Sequence, residues 1–229
     1  MFPIAANLQA VRRRISEALQ GDSRAITMVA VAKAKSAATI REAFAAGQRD
    51  FGESYVQEAL PKIAALEALP IVWHFIGAIQ GNKARDVARH FDWVHGVDRL
   101  KIAQALARHR SAGRGPLNVC IQVNISEEST KAGVAPREAP GLARAVAALP
   151  GLKLRGLMGI AGPTSDVSRS RTEFARLRAL FGDLRASGLE VDTLSMGMTQ
   201  DFEAAIAEGA TVVRIGTAIF GERQGKAAA

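Results

Sequence analysis

Residues Met28–Ser36 read MVAVAKAKS, a short β-branched apolar run that ends in two lysines. If the run is a strand, Thr27, Val29, Val31 and Lys33 share one face, because side chains alternate with period two. Lys33 then stands at the C-terminal end of a buried strand. Lysine is seldom buried without a partner, and an apolar surround lowers its pKa and leaves the amine nucleophilic. A lysine so placed suits a Schiff base with an aldehyde or ketone. The alternative is that the strand stops at Ala32 and both Lys33 and Lys35 are solvated loop residues. Taken alone the stretch favours this alternative, since most lysines are exposed; motifs further along the chain reverse the preference.

Working outward, Ile4, Leu8, Val11, Ile15 and Leu19 recur at helical spacing, which predicts an N-terminal amphipathic helix over about 4–20, ended by Gly21 and Asp22. Ser36 is a cap for the next helix, whose apolar face is Ile40, Ala43 and Phe44 and which stops at Gly47. Arg49–Gly52 reads as a second strand. In ESYVQEALPKIAALEAL the helix is expected to begin at Pro61, because proline inside a helix loses a hydrogen bond. Strands follow at Ile71–Gly77, Asp92–Val97, Leu117–Asn124, Leu152–Ile160, Val191–Ser195 and Thr211–Gly216. Between them lie helices over Gln80–His90, from Asp98 as cap to Leu106, Pro136–Leu149, Ser168–Ser187, and from Thr199 as cap to Glu208. In LNVCIQVN, Leu117, Val119, Ile121 and Val123 share one face, and Asn118, Cys120, Gln122 and Asn124 the other.

Eight strands alternating with helices imply a parallel sheet, and eight units suggest closure. The expected fold is a single α/β domain over 1–229, a (β/α)8 TIM-type barrel with an extra N-terminal helix and a frayed tail at about 224–229. An open doubly wound sheet is disfavoured because no GxGxxG follows the first strand. The composition agrees: 229 residues, 48% hydrophobic, supply a core without staples. One cysteine, Cys120, excludes an internal disulfide and a multi-cysteine zinc site. No signal core or membrane-length apolar run is present, so a cytoplasmic protein without a membrane partner is expected. The net charge of +8 comes from arginines interrupted by acids, with one tyrosine and no aromatic-interleaved basic cluster. Nucleic-acid binding is therefore not expected.

In such a barrel, chemistry collects at the C-terminal strand ends. Those ends carry Lys33 and Lys35, then Gly52-Glu53-Ser54-Tyr55, then Ser195-Met196-Gly197-Met198, and last Arg214-Ile215-Gly216-Thr217-Ala218. Ser195 offers a hydroxyl, and Gly216-Thr217 lead into a short helical turn, Ala218–Phe220, whose free N–H groups can hold an anion. The glycines could equally serve turns alone. Arg214 shares the inward face with Val212 and Gly216, and a buried arginine needs an acceptor. A cofactor ring nitrogen is one candidate; a barrel carboxylate is the structural alternative. Lysine, phosphate cradle and inward arginine together suggest pyridoxal phosphate.

The segments VAVAKAKS, AGQRDFGESYVQEALPKI, WHFIGAIQGNKAR, IQVNISEESTKAGV, LRGLMGI and LSMGMTQDFEAAIAEGATVVRIGTAIFGER, in this order over nearly the whole chain, resemble the pyridoxal phosphate homeostasis protein family, also called the proline synthetase co-transcribed family, which is similar to the barrel domain of alanine racemase. The resemblance implies a barrel that binds pyridoxal 5′-phosphate (PLP) and helps manage the cell's supply, with PLP-dependent apo-enzymes as partners and no established turnover. By motif position, Lys33 is the Schiff-base lysine, Ser195, Gly216 and Thr217 fall on the phosphate site, and Arg214 faces the pyridine nitrogen. Lys35 matches the second lysine of the motif and is a transient acceptor of the cofactor. The sequence departs from the family pattern at Ala32, Ser36, Ser54 and Ala78-Ile79-Gln80, of which Ser54 lies on a site-facing loop and lacks the usual amide.

His74 faces inward if Val72 and Ile76 do; a satisfied core histidine is preferred over a cofactor contact. His90, His95 and His109 lack metal-like spacing. Met196 and Met198 could line the pocket or simply fill the core. The rival function is an amino-acid racemase, which needs a base on each substrate face. In the racemases that the barrel resembles, the second base is a tyrosine from an added domain. None follows Arg223 here, and the sole tyrosine is Tyr55. A monomeric carrier without turnover is the expectation.

Overall fold

The computed structural model describes residues 3–126, 128, 131–164 and 166–222; the tail expected to fray at 224–229 lies outside them. The predicted apolar runs become β1 (Thr27–Val31), β2 (Asp50–Glu53), β3 (Val72–Phe75), β4 (Trp93–Val97), β5 (Leu117–Val123), β6 (Leu152–Gly159), β7 (Thr193–Ser195) and β8 (Val212–Ile215). Each pairs in parallel with the next, and β8 closes on β1. The helices are α1 (Ile4–Leu19), α2 (Ala37–Ala45), α3 (Val56–Ala65), α4 (Ala84–His90), α5 (Leu100–His109), α6 (Ala139–Ala147), α7 (Val167–Ala186), α8 (Phe202–Ala207) and α9 (Thr217–Phe220).

Period-two alternation gives each strand two buried faces. Outward residues such as Ala30, Phe51, Phe75, Val94, Leu117, Val119, Ile121, Leu157 and Val213 join the apolar layer beneath the helices. The other face fills the barrel. There the usual branched aliphatic filling gives way to polar groups: His74, His95, Gln122, Ser195 and Arg214 are all buried. Gly52 on β2 leaves room for its neighbours, since a Cβ there would stand 2.9 Å from Val29 Cγ1. Cys120 is fully buried, and burial pushes its thiol up to about 12, against the pull of Arg155 and Arg214. It is an inert packing group.

The extra helix α1 lies outside the barrel. It buries Ile4, Leu8, Val11 and Ile15 and packs against α2, α8 and α9, over the seam where the last strand meets the first. Asn7 Nδ2 donates to Ile219 O across that seam at 3.0 Å.

Ser36 caps α2 as expected, accepting from Thr39 N. Three boundary expectations fail. Pro61 lies inside α3, which starts at Val56. The carbonyl that its missing N–H would have met belongs to exposed Gln57, where solvent can take the bond. Asp98 does not cap α5: the helix begins one residue later after Arg99, and Asp98 instead pairs with the Arg99 guanidinium at 2.7 Å. Thr199 does not cap α8, whose N-cap is Asp201; its hydroxyl is used elsewhere, as described next.

Candidate functional site

The strand of Lys33 ends at Val31, and the lysine occupies a turn immediately beyond it, half-buried. Five bonds shape this turn and its surroundings. Ala32 N donates to Gly52 O at 2.9 Å, extending the sheet by one link, and Lys35 N closes back on Ala32 O at 3.0 Å. Ala34 has a positive φ of 60° and its N–H meets Glu58 Oε2 at 3.1 Å. Lys62 Nζ donates to Ala32 O at 3.0 Å and to Glu53 Oε1 at 2.8 Å. Glu58 and Lys62 are one helical turn apart on α3, so one helix face clamps the turn. Glu53 is fully buried, and burial raises its pKa against the pull of Lys62. The sequence signal for this clamp was the i,i+4 acid–lysine pair around Pro61.

The β1–β8 register sets Val29 opposite Arg214 and Ala30 opposite Ile215. Gly216 therefore lies beside Val31; a Cβ built on it would stand 3.4 Å from the Val31 Cβ. Lys33 just beyond β1 and Gly216 and Thr217 just beyond β8 thus lie on neighbouring parts of one rim, with Arg214 below it on β8. Thr217 opens α9 and is exposed. The helix's internal bonds begin with Ile219 and Phe220, which both donate to Gly216 O, so its opening amides precede the first intrahelical donors. Lys35 Nζ donates to Phe220 O at 2.9 Å and ties the far end of α9 to the β1 rim.

Arg214 points into the barrel. It donates from Nη1 to Ser195 Oγ at 2.7 Å and from Nη2 to Gly159 O at 3.1 Å. Burial pushes its pKa down to about 10, and the charge of Asp201 works the other way. It stays a cation at neutral pH. Ser195 is fully buried, with its hydroxyl also 2.7 Å from His95 Nδ1. The structure thus brings Ser195 to Arg214 and His95 beneath the rim. A further hydroxyl beside α9 is that of Thr199, which accepts from Ala218 N at 3.4 Å. Sequence reading missed it because a Thr just before a helix looks like a cap. Gly197 makes the bend possible: its φ is +92°, and a Cβ there would fall 2.6 Å from Ala205 Cβ.

The remaining candidates lie nearby in less committed roles. Ser54 is half-buried in the β2–α3 connection, and its carbonyl abuts Gly77 so closely that a side chain there has no space. Tyr55 is 60% exposed at the start of α3. His74 is a buried, hydrogen-bonded barrel histidine, 3.0 Å from both His95 Nε2 and Asp50 Oδ1. Among the described residues no cluster of His, Cys, Asp and Glu could hold a metal. No described helix is long and apolar enough to cross a membrane.

Residues 3–224 match the family described as alanine racemase, N-terminal domain. The chain is 58% identical over 226 residues to the pyridoxal phosphate homeostasis protein of Pseudomonas aeruginosa, covering 97% of both. It is 50% identical over 229 residues to that of Escherichia coli K12, covering 97% of this chain and 98% of the relative. Among solved structures, PipY of Synechococcus elongatus with PLP bound aligns at TM-score 0.84 and 38% identity, covering 95% of this chain and all of that one. Alanine racemase of Clostridium difficile aligns at TM-score 0.72 and 14% identity, covering 96% of this chain but 58% of that one, a likeness of fold. The chain therefore belongs to the alanine racemase N-terminal domain family and, within it, to the pyridoxal phosphate homeostasis proteins.

Proposed function

We propose that this chain binds pyridoxal 5′-phosphate at the rim formed by β1 and β8, holds it as a Schiff base on Lys33, and serves intracellular vitamin B6 homeostasis by buffering the cofactor or delivering it to PLP-dependent apo-enzymes. The observation that supports the reading is the pairing of β1 with β8, which sets the turn of Lys33 just beyond one strand and Gly216 and Thr217 just beyond its neighbour. PLP bound to the similar PipY supports it. The residues suit the group. The opening amides of α9 and the Thr199 hydroxyl offer donors to a phosphate. Bound there, the cofactor supplies an electrophilic aldehyde on an electron-withdrawing ring.

Each residue then has a task. Lys33 presents its amine from a turn clamped on two sides by α3. Arg214 donates to the ring nitrogen and keeps its own proton, which leaves that nitrogen unprotonated and weakens electron withdrawal, a property suited to storage. Ser195 acts through Arg214, whose guanidinium it holds. Lys35 stands beside the site and holds α9 in place. The setting is the cytoplasm, and the working form is a monomer without nucleic-acid or membrane partners.

The test is covalent trapping. Purified protein given PLP is expected to show a near-visible absorption band, and borohydride reduction followed by peptide mapping to mark Lys33. Lys33→Ala is expected to lose both signals. No band in the wild type sinks the Schiff-base reading, whereas a label on Lys35 moves the anchor by one motif position. The rival racemase reading asks Tyr55 to act as a second base; conversion of L-alanine by the loaded protein, abolished by Tyr55→Phe, would establish it.

A further inference from the structure

A line of hydrogen-bonded side chains crosses the barrel interior from Arg214 to the opposite mouth. Arg214 Nη1 meets Ser195 Oγ at 2.7 Å, and Ser195 Oγ meets His95 Nδ1 at 2.7 Å. His95 Nε2 meets His74 Nδ1 at 3.0 Å, and His74 Nε2 meets Asp50 Oδ1 at 3.0 Å. The five residues come from β8, β7, β4, β3 and β2. Ser195 and His95 are fully buried, while the Asp50 side chain is 28% exposed where β2 begins. Nothing in the anchoring of a cofactor on Lys33 requires two histidines and a carboxylate at this depth. Branched aliphatic residues would fill the space at lower desolvation cost.

The chain has a direction. Arginine only donates, and a carboxylate only accepts. From the Arg214 end, Ser195 Oγ receives a hydrogen and has one of its own to give. From the Asp50 end, His74 Nε2 must carry its hydrogen, so the Nδ1 of a neutral His74 accepts from His95 Nε2. The Nδ1 of a neutral His95 then accepts from the Ser195 hydroxyl. With both imidazoles neutral, the two ends agree on one arrangement, with every hydrogen pointing toward Asp50. Burial first, then the neighbouring His74 and the Arg214 guanidinium, favour the neutral form of His95.

We propose that Asp50, His74 and His95 are positioning residues for Arg214: they fix the Ser195 hydroxyl with its hydrogen toward His95 and a lone pair toward the guanidinium, so that the bound cofactor meets a cationic donor of fixed orientation, set from the far mouth of the barrel. This role rests on the cofactor reading above. The direction of the chain does not. Two measurements separate them. In cofactor-free protein, long-range proton–nitrogen NMR of the imidazoles is expected to show His74 and His95 both as neutral Nε2–H tautomers at neutral pH. An Nδ1–H tautomer or an imidazolium at either residue overturns the chain and leaves the cofactor reading intact. In protein loaded with PLP, Asp50→Ala at the half-open mouth and His74→Phe in the interior are expected to shift the absorption band and weaken PLP binding by about tenfold, with Lys33 still labelled on reduction. Asp50→Glu is expected to restore both. Folded variants with wild-type band and affinity overturn the positioning role. Wild-type protein that takes up no PLP overturns the cofactor reading and the role together, while the tautomer pattern still stands by itself.

Discussion

Gly197 carries a double constraint near the rim, of conformation and of space. Its positive φ and the 2.6 Å approach to Ala205 leave no place for a side chain. Gly197→Ala is expected to cost about 1–3 kcal/mol and to weaken PLP uptake, because Thr199 follows two residues later; urea unfolding and a PLP titration check both. His95 gives a pH dependence of definite sign. Its folded pKa lies well below the ordinary 6.5, chiefly through burial. Below that value an unfolded chain takes up a proton that folded His95 refuses, so the stability it contributes is complete above about pH 6.5 and falls as pH drops, by on the order of 1 kcal/mol per pH unit. Denaturant unfolding from about pH 7 down to about pH 5 should show a shallower acid loss in His95→Gln than in wild type; equal slopes would contradict the buried neutral imidazole. Arg214 was legible as a buried cation in need of acceptors, which the structure supplies in Ser195 and Gly159, whereas Lys33 stood out only through the motifs further along the chain, since its own stretch favours a solvated loop. The part played by His95 was not legible, since its partners lie on β3 and β7 and no local spacing joins them.

At the level of elements, alternation and helical spacing identified all eight strands and the faces of β5, because burial on both sides leaves apolar runs that no loop imitates. Caps were less legible. Asp98 and Thr199 precede helices but use their side chains on Arg99 and on α9, and a cap can be recognised only when its competing partners are known. Pro61 illustrates the reverse case, a breaker tolerated because the bond it forfeits faces solvent. Pro61→Ala should restore that bond while loosening the unfolded chain, for a net gain of about 1–2 kcal/mol seen as a higher melting temperature. A lower one would mean that the proline fixes the α3 geometry on which the Lys33 clamp depends.

For the whole molecule, barrel closure followed from the count of β–α units, but the polar filling of the interior did not, because it depends on which residues face each other across the barrel. The seam where β8 closes on β1 lies beneath α1. Removing α1 uncovers Ile4, Leu8, Val11 and Ile15 and their partners, at an upper bound of about 1.5–3 kcal/mol for each side chain, a sum comparable to the stability of a typical domain. The shortened protein is expected to lose its cooperative thermal transition in circular dichroism; retention of that transition would show that β8 and β1 hold without the helix. The bond from Lys35 Nζ to Phe220 O has a consequence for synthesis. The two residues are 185 positions apart, so this part of the rim exists only after β8 has been made and has closed on β1. A fragment that stops short of β8 therefore has no such rim, and whatever the rim binds gains its affinity from the last contacts to form.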